Sequence, residues 1–338
     1  MIITIEKNMN EKVKEDLLQT LYKKGFEVLY QKGIEYDVLL LTETSSAMCE
    51  QDIRLVEGVI DVFENSSSYH LAAREFHKED SIVCVKDLKI GGNMPLCMIA
   101  GPCSVESIES IETIGKAVKE AGADVIRGGA FKPRTSPYAF QGLGYDGLKY
   151  LVNAGKKLNR PVISELTSIE HIDAYNDVDI IQIGARNMQN YDLLKAVGKM
   201  KQPVLLKRGM SATIEEWILA AEYILKEGNP NVIFCERGIR TFEKATRNTL
   251  DVSSVAVLKE KTHLPVIVDP SHAAGNWKYV KALALASVAA GADGIMVEVH
   301  NKPETALSDG AQSLTISHYE ALVKECNAIA NVIGRKTK

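Results

Sequence analysis

The chain has 338 residues, more than a single compact core usually holds, so two domains are the first expectation. Its composition, 46% apolar and 25% charged, excludes a mainly disordered protein, and a net charge of −4 excludes a general field that would draw in a nucleic-acid backbone. Six cysteines without Cys-x-x-Cys spacing exclude a disulfide scaffold or zinc ribbon and fit a reducing cytoplasm.

The opening residues turn charged at Glu6 and lack the apolar core and cleavage site of a signal peptide. From there the pattern reads strand (Ile2 to Ile5), helix (Asn10 to Lys23), strand (Phe26 to Tyr30), strand (Tyr36 to Leu41), helix (Ser46 to Val56) and strand (Val59 to Phe63). That order predicts a small α+β ferredoxin-like (βαββαβ) domain over residues 1–64. Its first helix carries an Asn10 cap, an apolar stripe at Val13, Leu17 and Leu21, and a stop at Gly25. The polar run Asn65-Ser66-Ser67-Ser68 marks the boundary and opens a linker over 65–92 that contains two short strand-like runs, Ile82 to Val85 and Leu88 to Ile90.

Across 93–338, β-rich runs alternate with amphipathic helical patterns. The runs are Cys97 to Ala100, Asp124 to Arg127, Val162 to Glu165, Ile180 to Ile183, Val204 to Lys207, Val232 to Cys235, Val266 to Asp269 and Gly294 to Glu298. Eight such units, each with a crossover helix, predict a closed (β/α)8 TIM barrel, with an open doubly wound sheet as the alternative. The longest apolar stretch, around Ala282 to Val299, contains Asp293 and Glu298 and reads as helix then strand, so no membrane span is expected.

Barrel active sites form at the carboxyl ends of the strands, and here those ends are polar. One group is cationic: Arg127, Lys132, Arg134, Arg186, Lys207 and Arg237, with hydroxyls at Thr135 and Ser136. Guanidinium forks take carboxylate and phosphate oxygens in pairs, and so many cations suit two multiply anionic substrates side by side. Lys207 also allows a Schiff-base reading. A second group, Cys103, His272, Glu298 and Asp309, follows strands one, seven and eight, which adjoin one another in a closed barrel. One thiolate, one imidazole and two carboxylates make a mixed site for a divalent ion such as Mn²⁺, Fe²⁺, Co²⁺ or Zn²⁺. Taken alone, each of these residues is more readily a packed thiol, an ion-pair partner or a loop charge. Their concentration at one end of successive strands argues for a site.

Several longer motifs stand in order: Ile99-Ala100-Gly101-Pro102-Cys103-Ser104, Arg127 through Pro137, Ile183-Gly184-Ala185-Arg186, Leu206-Lys207-Arg208-Gly209, Cys235-Glu236-Arg237-Gly238 and Asp269-Pro270-Ser271-His272. Together they resemble the 3-deoxy-D-arabino-heptulosonate 7-phosphate (DAHP) synthase family, in the class related to 3-deoxy-D-manno-octulosonate 8-phosphate (KDO8P) synthase. The front domain resembles the feedback-control domain of some members. The resemblance implies condensation of phosphoenolpyruvate with D-erythrose 4-phosphate, the first step of the shikimate pathway of aromatic amino-acid synthesis. It assigns phosphoenolpyruvate to Arg127, Lys132, Ala185, Arg186, Lys207 and Arg237, and erythrose 4-phosphate to Arg134, Thr135 and Ser136. It assigns one divalent metal to Cys103, His272, Glu298 and Asp309, catalytic roles to Lys132, Cys103 and His272, and leaves the water-activating group open between Glu165 and a metal-bound water. An aromatic effector, tyrosine or phenylalanine, acting on a homotetramer is the regulatory expectation.

The nearest alternative is KDO8P synthase, which takes arabinose 5-phosphate. That family usually reads Lys-Ala-Asn-Arg-Thr-Ser where this chain reads Lys132-Pro133-Arg134-Thr135-Ser136, one residue shorter and stiffened by proline. A non-catalytic effector-binding barrel is the alternative from another class.

Overall fold

The computed structural model describes residues 1–33, 36–42, 50–63, 68–134 and 136–336. The chain divides into two compact units, Met1–His70 and Leu71–Lys338.

In the first unit β1 (Ile2–Glu6), α1 (Glu11–Lys23), β2 (Glu27–Gln31), β3 (Tyr36–Thr42), α2 (Glu50–Arg54) and β4 (Val59–Phe63) follow in βαββαβ order. The sheet order β2-β3-β1-β4, antiparallel at each pairing, is the ferredoxin-like arrangement expected. Asn10 caps α1 by accepting from Lys12 N, and the helix buries Leu17 and Leu21 in one core with Ile3, Ile5 and Leu39. Of the second expected helix, Glu50–Arg54 is helical; residues 43–49, Cys49 among them, lie outside the described residues.

The second unit opens with a hairpin, β5 (Val83–Val85) and β6 (Leu88–Ile90), turned by Lys86 at φ +53°. Eight strands follow: β7 (Cys97–Gly101), β8 (Val125–Arg127), β9 (Val162–Glu165), β10 (Ile180–Ile183), β11 (Val204–Lys207), β12 (Val232–Glu236), β13 (Val266–Val268) and β14 (Gly294–Glu298). They close into a barrel in sequence order, every pairing parallel, so the open-sheet alternative is excluded. Val83, Val85 and Ile90 of the hairpin share a core with Ile99, Val125, Ile163, Leu205, Ile233 and Ile267 of the barrel. Each such side chain contributes roughly 1.5–3 kcal/mol on burial, so the hairpin is part of the barrel's interior.

The crossovers are α3 (Ile108–Glu120), α4 (Gly144–Leu158), α5 (Tyr191–Gly198), α6 (Ile214–Lys226), α7 (Ser253–Lys261), the short α8 (Pro270–Ala274) with α9 (Trp277–Ala289), and α10 (Ile316–Val332). One expectation changes. Between β9 and β10 the chain forms a 3-10 helix, Ile169–Tyr175, instead of an α-helix. This is the shortest of the crossovers, and the buried Tyr175, whose hydroxyl donates to Glu165 O, ties the turn to the strand it has just left. Elsewhere the local signals act as read: Thr213 and Glu216 form a capping box on α6, and Trp217 Nε1 of that helix donates to Leu206 O at 3.1 Å, fixing β11 next to Lys207. Among the described residues no helix is long and apolar enough to cross a membrane.

Candidate active site

At the carboxyl ends of the barrel strands lies a cavity of about 480 Å³. Arg127 reaches it from β8, Lys132 and Arg134 from the next loop, Glu165 from β9, Gln182 from β10, Ala185 and Arg186 just beyond, Lys207 from β11, and Arg237, His272 and Asp309 from later loops. Eight lining residues are Lys or Arg and two are carboxylates. Two glycines make room for this convergence. Gly101 has φ +154°, and a Cβ there would fall 2.2 Å from Arg127 O; a Cβ at Gly184 would fall 2.0 Å from Glu165 Oε1.

Two of these cations are buried beyond what the surrounding protein neutralises. Arg127 is 5% exposed, and although its Nη2 lies 3.1 Å from Glu298 Oε1, Nε and Nη1 have no hydrogen-bond partner. Arg237, 6% exposed, donates Nη2 to His272 O at 3.4 Å and leaves Nη1 without a partner. Burial holds Arg237 below its ordinary pKa. Unsatisfied buried guanidinium donors cost several kcal/mol, a cost that a bound anion removes. Lys207 is ion-paired with Asp269, which fits an electrostatic role better than the nucleophilic one that a Schiff base needs. On the far side of the same strands, Arg208 Nη1 meets Glu236 at 3.0 Å and Asp251 at 2.8 Å. Because side chains alternate along a strand, this outer pair holds the neighbouring Lys207 and Arg237 inward.

The loop after β8 is tied down at several points. Lys132 Nζ donates to Cys103 O at 2.9 Å, Arg186 Nη1 to Pro133 O at 2.8 Å, and Arg134 Nε to Phe140 O at 3.3 Å. Ser136 is exposed beside the cavity lining, and its hydroxyl accepts from Tyr138 N. Thr135 lies outside the described residues.

The thiol, imidazole and carboxylates converge beside the cations. Ligand atoms of Cys103, Glu298 and Asp309 lie within 4.8 Å of one another, while His272 stands outside that mutual radius with Nε2 3.5 Å from Glu298 Oε1. Local sequence sets His272: Asp269 caps α8 by accepting His272 N, Pro270 fills the first helical position, and the ring then meets the same carboxylate. Burial, though opposed by Asp269, holds His272 below its ordinary pKa, so the ring is neutral and its Nδ1 carries the proton given to Asp269. Its Nε2 lone pair therefore faces Glu298 Oε1, an oxygen ion-paired with Arg127 but making no hydrogen bond. Burial would raise the Glu298 carboxyl, but the Arg127 guanidinium beside it outweighs that and holds it below the usual range. Without a cation beside it, burial pushes the Cys103 thiol up to about 12. Facing acceptors, a buried carboxylate and a soft sulfur fit a divalent first-row cation, whose charge would stabilise the thiolate.

Arg240, Arg247 and Asn248 also line the cavity, and strand-end reasoning missed them. They lie midway along the connection from β12 to α7, and its density of basic residues is the signal that would have found them.

A family profile described as the DAHP synthetase I family matches residues 70–332. The chain belongs to that family. DAHP synthase of this class is accordingly the enzyme type of the barrel. The chain is 50% identical over 287 residues to phospho-2-dehydro-3-deoxyheptonate aldolase of Thermotoga maritima, covering 85% of this chain and 84% of that one. It is 32% identical over 273 residues to 2-dehydro-3-deoxyphosphooctonate aldolase of Syntrophotalea carbinolica, covering 75% and 98%. The crystal structure of the Thermotoga DAHP synthase superposes with a TM-score of 0.80 at 43% identity, covering 100% of this chain and 99% of that one. A truncated form of the Thermotoga enzyme gives 0.75 at 46% identity, covering 80% of this chain and all of the shorter one.

Proposed function

We propose that the chain condenses phosphoenolpyruvate with D-erythrose 4-phosphate and water to give DAHP and phosphate, with one divalent ion (Mn²⁺, Fe²⁺, Co²⁺ or Zn²⁺) held by Cys103, His272, Glu298 and Asp309. The observation that carries this reading is the juxtaposition of unpartnered buried guanidinium donors on Arg127 and Arg237 with the Cys103, Glu298 and Asp309 group. The donors call for an anion with carboxylate and phosphate oxygens, and the adjoining group calls for a cation.

In this reading Arg127, Lys132, Ala185, Arg186, Lys207 and Arg237 hold phosphoenolpyruvate, while Arg134, Thr135 and Ser136 receive the phosphate of the aldose. The metal, when bound, supplies Lewis-acid polarisation of the aldehyde. Fixing both substrates by their charged ends brings C3 of phosphoenolpyruvate to the aldehyde carbon and removes most of the orientational cost of the encounter. As the new carbon–carbon bond forms, negative charge grows on the former aldehyde oxygen, and the Lys132 ammonium stabilises and protonates it. Water then adds at C2 and phosphate leaves from the same carbon. Glu165, whose Oε1 is buried in the cavity wall without a hydrogen-bond partner, is a candidate base for that water.

Four-carbon selectivity rests on the short Lys132–Ser136 loop, supported by the higher identity to the heptonate aldolase than to the octonate aldolase. A ferredoxin-like unit that senses tyrosine or phenylalanine in a homotetramer, and a cytoplasmic setting for the free thiols of Cys84, Cys97, Cys103, Cys235 and Cys326, complete the reading. Offering erythrose 4-phosphate and arabinose 5-phosphate in parallel, with phosphate release and the ketose product both measured, tests it. Faster turnover of the four-carbon sugar is expected, and preference for arabinose 5-phosphate would overturn the assignment.

A further inference from the structure

Gln312 is a buried amide, 2% exposed, in the short 3-10 turn Gly310–Gln312 directly after Asp309. Its Nε2 donates to Glu298 Oε2 at 2.7 Å, and its Oε1 accepts from Arg247 Nη1 at 2.9 Å. The two partners settle which way round the amide sits, because a carboxylate only accepts and a guanidinium only donates. The same Arg247 nitrogen lies 3.4 Å from Asp309 Oδ1. Glu298 is also supported at its backbone, where its N–H donates to Ser271 Oγ at 3.0 Å, and at Oε1, which lies 3.1 Å from Arg127 Nη2.

From this geometry we infer that Gln312 is a positioning residue for the metal site: it occupies Glu298 Oε2 and so presents Oε1 to the ion, with Arg247 fixing the amide from the cavity side. Three observations converge. Of the two Glu298 oxygens, Oε1 is the one that makes no hydrogen bond, and it faces His272 Nε2 at 3.5 Å with only the Arg127 guanidinium ion-paired to it at 3.1 Å. Without the amide, Oε2 would be a buried, unpartnered carboxylate oxygen, and rotation about the last side-chain bond would exchange the two oxygens. Arg247 lines the substrate cavity, so the hold on Glu298 begins at a group that an anion in the cavity also meets. Ligands held in this way by outer partners typically lose about 10–100-fold in metal affinity when the partner is removed. The inference rests on the metal reading above, and its test separates the two.

The experiment compares wild type with Q312M, which keeps the length and volume of the side chain and loses both hydrogen bonds. Mn²⁺ affinity is measured by calorimetry, and the Co²⁺-loaded proteins are compared by visible and near-ultraviolet absorption. Expected are an Mn²⁺ Kd raised about tenfold or more and altered Co²⁺ d–d bands, while the thiolate-to-cobalt band from Cys103 persists. Phosphoenolpyruvate affinity without metal should be unchanged, a control for an intact cavity. If Q312M does not fold, Q312N carries the same test, because the shorter amide cannot span Arg247 and Glu298. Wild type that binds Mn²⁺ alongside a variant with equal affinity and an identical Co²⁺ spectrum overturns the proposal alone. Wild type that takes up neither ion overturns the metal reading and this proposal with it.

Discussion

His272 Nδ1 donates to Asp269 Oδ2 at 2.7 Å, and that contact selects the tautomer in which Nε2 is free to ligate. Asp269 is fully buried, and although burial alone would raise it, His272, Lys207 and Arg127 hold its carboxyl well below the usual range. One carboxylate thus serves the imidazole and the Lys207 ammonium together.

Asp269→Asn keeps the shape and removes the charge. Metal affinity should fall by about 10–100-fold, and KM for phosphoenolpyruvate should rise because Lys207 loses its anchor. Calorimetry with Mn²⁺ and steady-state kinetics with each substrate varied check both. An effect on metal alone would mean that Lys207 is held by other groups.

Arg237→Ala separates binding from stability. The side chain is buried with an unpartnered Nη1, so its removal relieves a desolvated charge. The unfolding midpoint should stay level or rise. KM for phosphoenolpyruvate should increase by about 10–100-fold, the loss of roughly 1.5–3 kcal/mol of charge-assisted hydrogen bonding. A large fall in stability would place Arg237 among the structural residues.

His263 gives the barrel a defined acid limit. Its Nε2 donates to Leu71 O at 2.8 Å, Ser81 Oγ donates to its Nδ1 at 2.7 Å, and it stacks on His77 at 4.2 Å. Burial lowers its pKa from 6.5 to about 4, so the folded protein keeps the ring neutral at a pH where the unfolded chain protonates it. Stability from this residue is therefore complete above pH 6.5 and is lost as pH falls towards 4. The loss is about 2 kcal/mol by pH 5. Denaturant titrations at pH 7 and 5 should show that increment in wild type and not in His263→Gln.

Removing residues 1–70 should leave condensation intact and abolish inhibition by tyrosine or phenylalanine, since the barrel and its cavity lie wholly within Leu71–Lys338. Initial rates with and without each amino acid test this. Inhibition that survives the deletion would put the effector on the barrel.

How far the sequence could be read follows from where each signal resides. The barrel was legible because buried strands and amphipathic helices alternate in short range, and Arg127, Lys207 and the Arg237 position were legible because they sit at strand ends. Gln312 was not, since a neutral buried amide looks like any loop residue until Glu298 and Arg247 are seen on either side of it. Arg240 and Arg247 were hidden for a related reason: no strand end points to the middle of a long connection. The replacement of a helix by the turn Ile169–Tyr175 reflects a tertiary tie, Tyr175 to Glu165, which local propensity does not encode.

The barrel's architecture begins well before its first strand. Leu71 N and Ala72 N bond the two oxygens of Glu222 at 2.6 and 2.9 Å, and the hairpin Val83–Ile90 then fills the interior. Modules in front of such an enzyme can be swapped during evolution, or by an engineer, only upstream of Leu71. A splice placed nearer Cys97 would uncork the barrel, whatever regulator it carried.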